Sequence, residues 1–89
     1  MATEQDAAVL MLRTMVKLGG YLDQQEAVYT LQGEFGDRFL YYNANGNLAI
    51  NADVLKAFRK ITNDDVVWDK SSRAWRKRET GDSPSRQQD

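Results

Sequence analysis

VLKAFRKITNDDVVWDKSSRAWRKR, residues 54–78, decides the fold of this 89-residue chain. Its first part sets Val54, Leu55, Phe58 and Ile61 at i, i+1, i+4 and i+7, one face of a short amphipathic helix. Its second part runs VVWD, a polar turn at Lys70 to Arg73, then AWRKR, and reads as two short strands joined by that turn. With the turn centred on Ser71-Ser72, Asp69 falls opposite Ala74, Trp68 opposite Trp75 and Val67 opposite Arg76. Strand side chains alternate, so Val66, Trp68 and Trp75 share one face. A helix feeding a basic two-stranded ribbon predicts an α+β domain.

Outward from this stretch, two further helices precede it. Thr3 caps the first, with Asp6 where a capping-box acid belongs. Ala7, Leu10, Met11, Met15 and Leu18 mark its apolar stripe; Val9, Leu12 and Val16 widen it, so the helix is expected to pack on two sides. Gly19-Gly20 stops it, and Tyr21-Leu22 is a short extended link. Asp23 with Glu26 opens a second helix carrying Ala27, Val28, Leu31 and Phe35, which Gly33 weakens and Gly36 ends. In residues 37–50, Phe39–Tyr42 and Leu48–Ile50 flank the turn signal Asn45-Gly46, giving a small hairpin or a structured loop with extended arms. Asn51 caps the third helix, which ends near Thr62-Asn63. From Thr80 onward there is no large apolar residue, so 1–79 reads as one domain and 80–89 as a mobile tail.

The order helix, extended link, helix, helix, ribbon resembles the winged-helix branch of helix-turn-helix domains over residues 4–78. More specifically, YYNANGNLAI (41–50), VLKAFRKIT (54–62), VVW (66–68), Trp75 and RQQ (86–88) resemble a small family of uncharacterised bacterial proteins. The resemblance implies a winged-helix-like domain of three helices and a C-terminal β-hairpin, and brings no established activity. One departure is plain: about 15 positions link the second and third helices, where a helix-turn-helix uses a 3–4-residue turn.

Composition narrows the chemistry. The chain has no cysteine and no histidine, which removes thiolates, the commonest general base and the commonest metal ligand. No nucleophile elbow, phosphate-cradling loop or dinucleotide fingerprint is present, so an enzyme, a cofactor and a small-molecule substrate are not expected. NANGN (43–47) puts asparagines where a calcium loop needs carboxylates, and Ala52 where it needs a bidentate glutamate; metal binding there is rejected. The opening MATEQDAAVLML has no basic leader and its helix is broken by Asp6, Arg13 and Lys17, so neither a signal peptide nor a membrane span is expected. A cytoplasmic protein is the expectation.

Net charge is −1, yet residues 1–55 carry three basic and seven acidic side chains and residues 56–89 nine and six. That asymmetry points weakly to a polyanion on the C-terminal side, the plainer reading being a solvated ribbon face. Arg59 and Lys60 on the third helix, with Lys70, Arg73, Arg76, Lys77 and Arg78 on the ribbon, form the candidate contact surface for DNA or RNA. Asp64, Asp65, Asp69 and Glu79 lie among them and weaken the field. Of the two tryptophans, Trp68 is expected in the core and Trp75 nearer its rim. Tyr41 and Tyr42 point to opposite faces of a strand, so one is expected outside; with Trp75 they are the candidates for a protein interface. The expected function is thus a non-enzymatic accessory or regulatory binding module contacting nucleic acid, the alternative being a protein-interaction module or a homodimer that uses the Phe39–Tyr42 segment or the outer face of the first helix.

Overall fold

A computed structural model describes residues 2–63, 65–79 and 87–88. It has mixed α+β architecture, with helices α1 (Glu4–Lys17), α2 (Gln24–Phe35) and α3 (Ala52–Thr62). Strands β1 (Tyr21–Asp23), β2 (Leu40–Tyr42), β3 (Leu48–Ile50), β4 (Val66–Asp69), β5 (Ala74–Lys77) and β6 (Gln87–Gln88) interleave with them.

Local chemistry sets the helix ends. The Thr3 hydroxyl accepts from Asp6 N–H at 3.2 Å, and the Asp6 carboxylate accepts from Thr3 N–H at 2.8 Å, a complete capping box. At the other end of α1, Gly19 and Gly20 take positive φ and donate to the carbonyls of Val16 (3.1 Å) and Met15 (2.8 Å), so the last turn's carbonyls are satisfied. Asp23 caps α2 through Glu26 N–H at 2.7 Å, and Asn51 caps α3 through Asp53 N–H at 2.8 Å.

Helix α1 packs against both α3 and α2. Met11, Met15, Leu22, Leu31, Val54 and Phe58 are essentially inaccessible to solvent and form the centre of the core. The helix thus packs on two sides as expected, but Val9 and Val16 take no part and face outward at 38% and 67% exposure.

The ribbon register is Val66 opposite Lys77, Val67 opposite Arg76, Trp68 opposite Trp75 and Asp69 opposite Ala74. It is not a free-standing pair of strands, however. β1 pairs antiparallel with β5 and β6 pairs parallel with β4, which makes a four-stranded sheet in the order β1-β5-β4-β6. The sequence reads Tyr21-Leu22 as a link because three residues are too few to show a period of two. β6 falls within the expected tail; the rest of that tail, 80–86 and 89, lies outside the described residues.

Between α2 and α3, β2 and β3 form a two-stranded hairpin with Leu40 opposite Ile50 and Tyr42 opposite Leu48. Its loop is held by the Asn43 side-chain oxygen, which accepts from the N–H groups of Asn45 and Asn47, both at 3.0 Å. Phe35 at the end of α2 meets Phe39 edge-on at 5.2 Å between ring centres, fixing the hairpin to the body. Among the described residues no helix is long and apolar enough to cross a membrane.

Candidate nucleic-acid interface

Helix α3 turns Val54, Phe58 and Thr62 into the core. Because a residue advances 100° around a helix, Lys56, Arg59 and Lys60 must then face away from it, and all three are exposed. Among the described residues, none of the three ammonium or guanidinium groups lies within ion-pair distance of a carboxylate. Lys56 is the member that sequence reasoning missed, although its i, i+3, i+4 spacing with Arg59 and Lys60 carried the signal.

The turn of the β4–β5 ribbon is built by Asp69. One carboxylate oxygen accepts from the Ser71 hydroxyl at 2.7 Å, from Ser71 N–H at 3.0 Å and from Ser72 N–H at 3.4 Å. The other meets the Arg76 guanidinium at 3.5 Å. The Ser71 hydroxyl is the largest cause of an Asp69 pKa below the ordinary carboxylate value, the Ser72 amide and Arg76 adding to it against the opposing cost of burial. Arg76 is therefore an ion-pair partner within the sheet. Lys70 and Arg73 stand exposed at the tip. Arg73 adopts φ +54°, and its carbonyl accepts from Gln24 N–H at 2.9 Å, tying the turn to the start of α2.

Lys77 and Arg78 go elsewhere. The Lys77 stem lies over Gly20, and both cations border a groove of about 680 Å³ between the C-terminal ends of α1 and α3. The expected cations thus fall into separate groups: α3's outer face, the ribbon tip, the Asp69–Arg76 pair and the rim of that groove. The tip itself borders a second groove of about 740 Å³, where Arg73 lies with Tyr21, Tyr29 and Asn47.

The aromatic candidates divide differently from expectation. Trp75 is only 6% exposed, packed between Phe58 at 5.6 Å and Trp68 at 4.6 Å between ring centres. It is a core residue and no part of an exposed interface; Trp68 is the half-buried one. Both tryptophans lie on inner strands of the sheet, and Trp75 is the one whose ring meets Phe58 of α3. Tyr41 and Tyr42 are both outside, at 51% and 70% exposure, while Leu40, Ala49 and Ile50 of the same hairpin are buried. Tyr21 and Tyr29 join them as exposed tyrosines, at 45% and 73%. Among the described residues no cluster of three or more acidic side chains is placed to share a metal ion.

A family of unknown function, DUF6953, matches residues 3–77, and the chain belongs to that family. No curated protein and no solved structure matches the chain.

Proposed function

We propose that this member of a family of unknown function is a non-enzymatic, winged-helix-like binding module that contacts nucleic acid through the outer face of α3. The observation that carries the reading is the row Lys56, Arg59 and Lys60, three exposed cations on one helix face without acidic partners among the described residues. A polyanion gains most from cations that no internal carboxylate already neutralises, because each phosphate contact then releases condensed counterions. Lys70 and Arg73 at the ribbon tip are the flanking contacts of this arrangement, with Arg76 held by Asp69, and Lys77 and Arg78 set apart at the rim of the groove between α1 and α3. The winged-helix element of the reading draws on the order α1-β1-α2-α3-β4-β5, interrupted by the β2–β3 hairpin between α2 and α3, with β1 pairing with β5.

The test is fluorescence anisotropy with labelled duplex and single-stranded oligonucleotides over a range of salt. Binding is expected to weaken with salt. Replacing Lys56, Arg59 and Lys60 by glutamine is expected to flatten the slope of log K against log salt by about 0.9 per lost phosphate contact. With all three in contact, the triple variant forgoes a salt-dependent change of roughly 40-fold between about 50 and 200 mM. No salt-linked binding, or an unchanged slope in the triple variant, refutes the reading. A second reading, a protein-interaction module, is favoured by the exposed tyrosines 21, 29, 41 and 42. It predicts that oligonucleotides leave the protein unaffected.

A further inference from the structure

The outer side of α1 sets exposed apolar residues among the charged side chains Glu4, Asp6, Arg13 and Lys17. Val9 and Val16 are 38% and 67% exposed, with Leu12 half-buried between them. At i, i+3 and i+7 they form one stripe, turned away from the buried Ala7, Met11 and Met15. Leu12 and Val16 also wall the groove of about 680 Å³ beside Ile61 of α3, so the stripe continues into a concave apolar surface. An isolated exposed aliphatic residue is ordinary, whereas a continuous strip joined to a groove marks a contact surface. The ends of the same helix carry opposite charge, Glu4 and Asp6 in the first turn and Lys17 in the last.

We infer that this strip is the contact between two copies of the chain, which lay their α1 helices antiparallel across a two-fold axis. Such a contact is isologous, so the surface must complement itself when reversed. The α1 strip does. Setting Val9 against Val16 of the second copy brings the two Leu12 side chains beside the axis. At a rise of about 1.5 Å per residue, Lys17 then lies roughly 3 Å along the helix from Asp6 of the second copy, within a lysine's reach. The pair occurs twice by symmetry, and the opposed helix dipoles favour the same alignment. A parallel arrangement stacks acid on acid and lysine on lysine. The charge pattern therefore selects a reversed copy of this helix as the occupant. The inference is independent of whether α3 meets nucleic acid.

Light scattering coupled to size-exclusion chromatography, with the full chain over a range of concentration, tests it. The expected mass at high concentration is twice the 10.2 kDa of one chain. Val16→Glu is expected to raise the dimer dissociation constant at least tenfold while the circular dichroism spectrum is retained, since Val16 is two-thirds exposed. Lys17→Glu is expected to raise it about fivefold, as two exposed ion pairs would, and to remove its dependence on salt. A single-chain mass at every concentration overturns the inference. So does a dimer untouched by Val16→Glu, including one that Tyr42→Glu breaks instead.

Discussion

Replacing Gly20 by alanine, with Gly19→Ala as its control, tests how the end of α1 is locked to the sheet. Both glycines have positive φ, +86° at Gly19 and +97° at Gly20, where an L side chain costs about 1–2 kcal/mol. Alanine returns roughly 0.5–1 kcal/mol by restricting the unfolded chain. At Gly19 the new methyl meets nothing within 4 Å, so the expected net loss is about 1 kcal/mol. At Gly20 the same methyl would sit 3.1, 3.2 and 3.3 Å from the Cε, Cδ and Cγ atoms of Lys77. Moving that stem adds about 1 kcal/mol of crowding, for a total near 2 kcal/mol. In a Lys77→Ala background the extra loss disappears, giving a coupling energy of about 1 kcal/mol. Urea midpoints of the five proteins, read by circular dichroism, supply every term. Equal losses at Gly19 and Gly20, or a Gly20→Ala loss that persists unchanged without the lysine stem, would refute the reasoning.

Two other outcomes follow from local geometry. Asp69 titrates below its ordinary pKa chiefly because it accepts from the Ser71 hydroxyl, so it stabilises the fold above its unfolded pKa of about 3.9. That contribution is lost as pH falls through the lowered folded value; Ser71→Ala should move the Asp69 carboxyl titration upward in NMR, and an unmoved curve would reject the assignment. Gly33 lies exposed inside α2 with nothing within 4 Å of an added methyl, so Gly33→Ala should raise stability by about 1 kcal/mol. A drop in the urea midpoint would contradict the open surface seen there.

Local signals in the sequence were the legible ones. The Thr3–Asp6 capping box, the glycine stop after α1 and the Trp68–Trp75 register each depend on residues a few positions apart. What the sequence concealed was non-local. Tyr21–Asp23 becomes a strand only because β5, some fifty residues later, offers it an edge. That pairing sets the buried Leu22 opposite Trp75, whose ring lies in the core beside Phe58. The tyrosines were misjudged for a related reason. Alternation assigns Tyr41 and Tyr42 to opposite faces, but it buries one of them only if something covers that side chain, and in this hairpin the burial goes to Leu40, Ala49 and Ile50.

The cations show the same physics at the candidate site. Arg76, Lys77 and Arg78 look like a patch because they are consecutive, but a strand's period of two divides such a run between faces. Arg76 shares its face with Asp69 and Val67, while Lys77 turns toward the Trp75 side and lies over Gly20. Lys56, Arg59 and Lys60 look scattered, yet the helical period unites them on the side opposite Phe58. A charge run in a strand is therefore a poor predictor of a polyanion site, and spaced charges on an amphipathic helix are a better one. That is why the proposal for nucleic acid moves from the ribbon to α3. It also makes Arg76 the internal control. Reversing its charge removes a cation from the chain without touching the helix face, and should weaken the Asp69 turn while leaving oligonucleotide binding almost as it was.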